Sequence, residues 1–306
     1  MRAVRIHKSA DGEGEGLVVE DAPRPYAATG DVVVQVRAAG FVPDELDWPG
    51  TWVDRAGRDR TPSVPAHDVA GVVAEVAYGT AGFAVGDRVF GLTDWHRDGA
   101  AAEYVAVEAR NLAPIPGSLS FTEAAALPLA GLTCWQALFV HGGLRAGRTV
   151  VVHGGGGGTG SLAVQLARDA GAHVIATGRA GAADVARRMG AHAFVDLESE
   201  RFEDAVEPVD VIFDTIGGDL LARSASRIKP GGTLVSITAP PPVEPPDGRA
   251  VYFIVEPDRG QLAEIAERAG AGRLRAHVGA VYPLAETREA FEAKRRGVPG
   301  KVVIEV

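Results

Sequence analysis

Hydrophobic and polar positions follow two different rhythms along the chain. From Met1 to about Gly117 the apolar residues come in short Val-rich runs broken by Gly and Pro, and helical periodicity is almost absent. Val32–Val36, Val69–Val76, Asp87–Phe90 and Ala102–Val107 read as strands bounded by turn-forming residues. Gly12-Glu13-Gly14-Glu15-Gly16 reads as a flexible hairpin tip without chemistry of its own. This texture predicts a sheet-built, barrel-like domain.

From Ser118 onward strands and helices alternate. Ser120, with Glu123 three residues later, is a capping-box pattern opening an Ala-rich helix through Ala126, and a second helix is expected over Gly131–His141. The expected order then runs strand Thr149–His153, helix Thr159–Ala170, strand His173–Thr177 and helix Ala182–Met189. Strands Ala193–Val195 and Val209–Phe213 follow, then a helix near Asp219–Arg227 and strand Thr233–Thr238. Unbroken apolar runs such as Val150-Val151-Val152 suit strands covered on both faces. Such alternation predicts right-handed βαβ units in a doubly wound parallel sheet.

The five prolines of Ala239–Gly248 mark a semi-rigid loop, followed by a strand at Val251–Val255 and a helix at Arg259–Ala269. β texture returns at Leu274–Tyr282 and Val302–Val306, around a helix at Leu284–Arg296, as though the chain crosses back to complete its first domain. The expected division is therefore residues 1–117 with 271–306 in one domain, and 118–270 in the other.

Charge and cysteine content narrow the function. A formal net charge of −9 disfavours a nucleic-acid or anionic-membrane partner. One cysteine, Cys134, excludes intramolecular disulfides, a four-cysteine zinc site and CxxC redox chemistry. No apolar run is long enough to span a bilayer and the N-terminus lacks a signal-peptide core, so a cytoplasmic protein is expected.

The sharpest motif is the glycine run after Val150-Val151-Val152-His153. Gly155-x-Gly157-x-x-Gly160 fits a dinucleotide fingerprint and sits where that chemistry needs it, between an apolar strand and a helix. Gly155 permits the turn, Gly157 lets the backbone approach a pyrophosphate, and Gly160 allows helix and strand to touch. The helix N-terminus offers free N–H groups to phosphate. The next strand ends Ala176-Thr177-Gly178-Arg179, without the acid that would bind a ribose 2′-hydroxyl, so Arg179 is placed to meet a 2′-phosphate and NADPH is favoured over NADH.

Several blocks together resemble one family. Asp31–Gly40, Pro65–Val73 and Val85–Gly91 look like the GroES-like domain of the medium-chain dehydrogenases/reductases. Ala126-Leu127-Pro128, Gly131-Leu132-Thr133, the glycine turn, Phe213–Gly218 and Gly300–Val303 extend the likeness along the whole chain. The nearest branch is the zinc-independent quinone oxidoreductases. The resemblance implies an α/β protein with a GroES-like, mostly-β catalytic domain and a Rossmann domain, forming a homodimer.

The resemblance also implies site residues. Thr133 would lie near the nicotinamide, Gly156, Gly157, Gly158, Thr159 and Gly160 would hold the pyrophosphate, and Thr177, Gly178 and Arg179 the adenosine phosphate. Thr215, Ser236, Ile237, Phe253 and Ile254 would line the sheet edge where the cofactor rests. Zinc-dependent relatives ligate their ion with Cys, His-Glu, and Cys or Asp. Here His67-Asp68 stands at the His-Glu position, but Phe41, Val42 and Leu129 occupy the others, so no metal is expected.

The family's Asn-x-x-Asp-x-Tyr stretch reads Val42-Pro43-Asp44-Glu45-Leu46-Asp47-Trp48, which removes its Asn and Tyr. Without those residues, His67 and Asp47 are the candidate catalytic groups, and Trp48, Trp52 and Trp95 candidate walls for a flat acceptor. The implied reaction is NADPH-dependent reduction of a quinone or α,β-unsaturated carbonyl. The alternatives are an enoyl or alkenal double-bond reductase of secondary metabolism, a non-catalytic NADPH-binding regulatory protein, and a zinc alcohol dehydrogenase.

Overall fold

A computed structural model describes residues 1–8 and 15–306, so the tip at Gly12-Glu13-Gly14 lies outside the described residues. In chain order the strands begin with β1 (Arg2–Lys8), β2 (Glu15–Asp21), β3 (Asp31–Gly40), β4 (Asp68–Val76) and β5 (Arg88–Leu92). Next come β6 (Tyr104–Glu108), β7 (Leu112–Pro114), β8 (Thr149–His153), β9 (His173–Gly178) and β10 (Ala193–Asp196). The series closes with β11 (Val209–Asp214), β12 (Ile228–Ser236), β13 (Arg249–Tyr252), β14 (Val278–Pro283) and β15 (Lys301–Glu305).

The chain divides into two units: Met1–Leu129 with Pro257–Ala271 and Ala276–Val306, and Ala130–Glu256 with Gly272–Arg275. These bounds move the first unit outward from the 117/118 and 270/271 divisions expected above. The reason is packing: helix Phe121–Ala125 lies on β3 and β4, and helix Arg259–Gly270 lies on β7. Ser120 does cap its helix, accepting from the Glu123 N–H at 3.2 Å while Glu123 Oε2 accepts the Ser120 N–H at 2.9 Å.

The first unit is a mixed sheet in the order β14-β15-β3-β4-β5-β7. One edge of β3 is shared, with β6 on Asp31–Gln35 and β15 on Ala38–Gly40. The C-terminal strands thus complete the N-terminal sheet. Its core is built from the inward valines of β3 and β4 with Phe41 and Phe291, whose rings stack at 4.0 Å.

The second unit is a six-stranded parallel sheet, β10-β9-β8-β11-β12-β13. The strand order reverses between β8 and β11, and the crevice outside such a switch point is where doubly wound sheets bind ligands. Val151, Ile212 and Leu234 are wholly buried, as expected for strands covered on both faces.

The helix expected at Gly131–His141 starts earlier, at Pro128, and its last part widens into a π-type turn over Gln136–His141. Among the described residues, no helix is long and apolar enough to cross a membrane.

A buried ion pair ties β15 to β4 across β3 in the first unit's sheet. Lys301 on β15 reaches Asp68 Oδ2 at 3.1 Å and the Phe41 carbonyl at 3.3 Å, while Asp68 Oδ1 accepts the Leu129 N–H at 2.6 Å. Gly40 makes room for it, since a Cβ there would lie 2.8 Å from Asp68 Oδ2. Burial raises the Asp68 carboxyl above its ordinary value, against the pull of Lys301. Lys301→Met leaves that carboxylate buried without its cation and lowers stability by about 3 kcal/mol at pH 8. As pH falls, the raised carboxyl of the variant takes up a proton more readily and the loss shrinks toward pH 5. Denaturant titrations at the two pH values check this, and an equal loss at both contradicts it.

Candidate functional site

The glycine turn leaves β8 at the switch point. Gly154 takes φ +78°, and a Cβ there would run into the Thr215 hydroxyl. A Cβ on Gly155 would lie 2.6 Å from that of Ala176, and one on Gly160 would overlap the Gly154 carbonyl. These two glycines are therefore needed by the protein's own packing. Gly157 is different: a Cβ would meet only the Gly154 carbonyl, at 3.2 Å. Its bareness leaves open space at the N-terminus of the Gly158–Asp169 helix.

The turn's N–H groups are partly committed. Gly154 and Gly155 both donate to the Thr177 carbonyl, at 2.9 and 3.1 Å, and Gly157 donates to Gly154. The first-turn N–H groups of Gly158, Thr159 and Gly160 lack intrahelical acceptors. Parallel strands put the remaining predicted positions at this same sheet edge: Gly178 and Arg179 after β9, Thr215 after β11, Ser236 and Ile237 with β12, and Phe253 and Ile254 after β13. Thr133 is buried on its helix in the same unit.

Not all of these side chains face outward. Thr177 is buried, its hydroxyl 2.8 Å from His153 Nδ1. Thr215 donates to the His153 carbonyl at 2.8 Å, and Ser236 to Asp214 at 3.1 Å. Asp214 also accepts the Gly217 N–H at 3.1 Å and so shapes the loop after β11. Phe253 stacks on His141 at 4.6 Å, while Ile254 is exposed.

Arg179, by contrast, is exposed at the end of β9. The acid nearest in register is Asp196 of β10, opposite Gly178. Its oxygens cap their own turn, accepting from Glu198 N–H at 3.1 Å and Ser199 Oγ at 3.0 Å. The residues present fit a dinucleotide.

The first unit holds a second constellation. His67 is buried, with Nδ1 2.6 Å from the Thr93 hydroxyl. Trp95 meets its ring edge-on at 5.1 Å, Trp48 lies 6.4 Å away at 28°, and the two indoles contact each other at 4.9 Å. A Cβ on Gly50 would run into the Trp95 carbonyl, so that glycine permits the arrangement. Trp52 stands apart, packed on the core with Nε1 donating to the Leu46 carbonyl at 2.7 Å. Asp47 is exposed, whereas His67 is buried. Burial, with the neighbouring Arg60 charge, pushes the His67 imidazole down to about 3. It is therefore neutral at physiological pH and suited to hydrogen bonding rather than to delivering a proton.

Local strain aims His67. The preceding Ala66 sits at φ +69°, a left-handed conformation unfavourable for a residue with a Cβ. It is held there by Glu45, whose Oε1 accepts the Ala66 N–H at 2.5 Å, and by the Ala100 N–H on its carbonyl, also at 2.5 Å.

Residues 28–117 match the alcohol dehydrogenase GroES-like domain and residues 189–304 a zinc-binding dehydrogenase family. The chain is 32% identical to a probable mitochondrial zinc-binding oxidoreductase of Arthroderma benhamiae, over 95% of its own length and 92% of the relative's. It belongs to the medium-chain dehydrogenase/reductase superfamily. The two sheets are those of this superfamily's GroES-like and Rossmann domains, and the chain is an oxidoreductase.

Among other superfamily members, a chloroplastic NADPH-dependent alkenal/one oxidoreductase of Arabidopsis thaliana is 33% identical over 79% of the chain, which spans 64% of that protein. The quinone oxidoreductase structure from Coxiella burnetii superposes with a TM-score of 0.86 at 26% identity, covering 100% of this chain and 99% of that one.

Zinc is implied by some of these relatives, but the donor set here does not fit it. His67 Nδ1 and both Asp68 oxygens are engaged, and Phe41, Val42 and Leu129 are apolar. Cys134 is buried with Sγ on the Thr159 carbonyl at 3.1 Å, and burial pushes its thiol up. Among the described residues no three His, Cys, Asp or Glu side chains gather as a metal site.

Sequence reasoning did not single out Thr93, Glu45 or His153. Only His153 carried a local signal, a polar side chain closing an otherwise apolar strand.

Glu45 gives this site a pH signature. Burial raises its carboxyl from 4.5 to about 8. The folded chain therefore keeps a proton that the unfolded chain releases, and stability falls as pH rises from about 5 to 8, by up to about 1.4 kcal/mol per unit. Glu45→Gln removes this slope. Unfolding curves across the range check it, and identical slopes in both proteins contradict it.

Proposed function

We propose that the chain is a zinc-independent, NADPH-dependent reductase acting on a quinone or an α,β-unsaturated carbonyl. The observation that carries this reading is the pairing of a phosphate-receptive glycine turn with an exposed Arg179 and no carboxylate at the end of β9. The helix N-terminus at Gly158 takes the pyrophosphate, and Arg179 pairs with the 2′-phosphate. When bound, the nicotinamide supplies the hydride.

The first unit's residues orient the acceptor. Trp48 and Trp95 present flat apolar faces, and neutral His67, held at Nδ1 by the Thr93 hydroxyl, offers its other ring nitrogen to the acceptor oxygen. Neutral His67 polarises an oxygen only weakly, which suits activated, conjugated acceptors. The proton comes from solvent. The names of the alkenal/one and quinone oxidoreductase relatives agree with this acceptor class. β13 is the edge of the parallel sheet and carries exposed Tyr252 beside exposed Ile254, which supports a homodimer formed through that edge.

The test is cofactor oxidation by chelator-treated protein across small quinones and enones. The expected result is turnover with NADPH preferred over NADH, unaffected by chelator. Arg179→Ala lowers kcat/KM for NADPH by about 10- to 100-fold and leaves NADH within about twofold. With His67 neutral above pH ~4, the profile shows no imidazole titration between pH 5 and 8. Equal use of both cofactors contradicts the role of Arg179. Cofactor binding without turnover on any acceptor contradicts the reductase.

A further inference from the structure

His153 closes β8 and is wholly buried. Its ring is the meeting point of three elements of the second unit. Nδ1 lies 2.8 Å from the Thr177 hydroxyl on β9, and Nε2 lies 3.0 Å from the Ser224 hydroxyl on helix Gly218–Ser224. Phe202 packs edge-on at 4.8 Å.

The tautomer follows from counting hydrogens. Ser224 has one hydroxyl hydrogen, which it gives to the Leu220 carbonyl at 2.7 Å, so at His153 it accepts. Nε2 therefore carries the proton, and Nδ1 accepts from Thr177. Charged groups face the ring from three elements: Asp214 of β11, Glu203 of helix Phe202–Ala205, and Arg223 beside Ser224. Burial keeps the imidazole well below its ordinary value, against the attraction of Asp214, so the neutral form persists through the physiological range.

Thr177 is the residue through which this matters. Its carbonyl receives the N–H groups of Gly154 and Gly155, and two residues later stands Arg179. One residue thus joins the turn after β8 to the cation after β9, and its side chain is anchored by His153 alone among the hydrogen bonds seen.

We propose that His153 is a positioning residue for cofactor choice: by holding Thr177 it fixes the spacing between the glycine turn and Arg179, and so the discrimination between a ribose that carries a 2′-phosphate and one that does not. This rests on the NADPH reading above. A ligand gripped at both the pyrophosphate and the 2′-phosphate depends on that spacing; one gripped at the pyrophosphate alone does not.

Equilibrium titration of NADPH and NADH, read by nicotinamide fluorescence, tests this without any acceptor. His153→Leu and Thr177→Val each weaken NADPH about tenfold and NADH by about twofold or less. His153→Gln, whose amide offers one acceptor and one donor, restores most of the preference.

Should wild-type protein bind both cofactors equally, the Arg179 reading and this inference fall together. A wild-type preference kept intact in His153→Leu overturns the inference alone, as does an equal loss of both cofactors, which is the mark of a merely structural role. If neither substituted chain folds, nitrogen-15 NMR of the wild-type protein decides: a non-titrating Nε2–H imidazole between pH 5 and 8 supports the inference, and an Nδ1–H tautomer overturns it.

Discussion

The helix after β8 can meet its own strand only because Gly160 has no side chain. A single Cβ there would overlap the Gly154 carbonyl, and the helix would have to lift off the turn. With the contact made, Leu162, Ala163, Leu166 and Ala167 are buried, and the helix N-terminus comes to rest where the strand order reverses. The same bare backbone leaves the space outside Gly157. Close packing and an open helix N-terminus are thus one constraint at this turn: glycines that let the helix approach sit beside a glycine that leaves space outside it.

In the first unit, buried polar groups play the organising part. Asp68, Lys301 and Glu45 lie away from water, and each is held by partners on different elements: β4 to β15, β4 to the Leu129 N–H, and the turn at Glu45 to Ala66. Apolar residues of matching volume would often hold such a sheet as firmly. What the polar set adds is placement, because it pins a strained Ala66 directly before His67. The imidazole so placed is neutral through desolvation, which suits it to hydrogen bonding rather than to delivering a proton.

Much of this was legible from the sequence where the cause is local. The valine runs, the Ser120–Glu123 box and the strand–glycine–helix succession act over a few residues, and each element stands within a few residues of its expected place. Helix Phe202–Ala205 was not legible because four residues carry too little periodicity. Strands β1 and β2 were missed because their pairing shows only across a segment read as a tip. The unit boundaries differ because the helices at Phe121 and Arg259 choose their partners by tertiary packing. Site residues divide in the same way. The glycines and Arg179 announce themselves, whereas the inward turn of the Thr177 hydroxyl depends on His153, whose other partner is Ser224, 71 residues away. Trp52 and Trp48 look alike in sequence and part company only in packing.

Label transfer addresses hydride movement itself. NADPH deuterated at C4, prepared in each of its two stereochemical forms, is incubated with the protein and a conjugated enone. Mass spectrometry then locates the label in the reduced product. The account requires deuterium at the β-carbon from one form and not from the other, in water that supplies only the second hydrogen. A reduced product free of label from both forms, or one labelled equally by both, would contradict an enzyme that holds the cofactor in one orientation and passes its hydride directly to the acceptor.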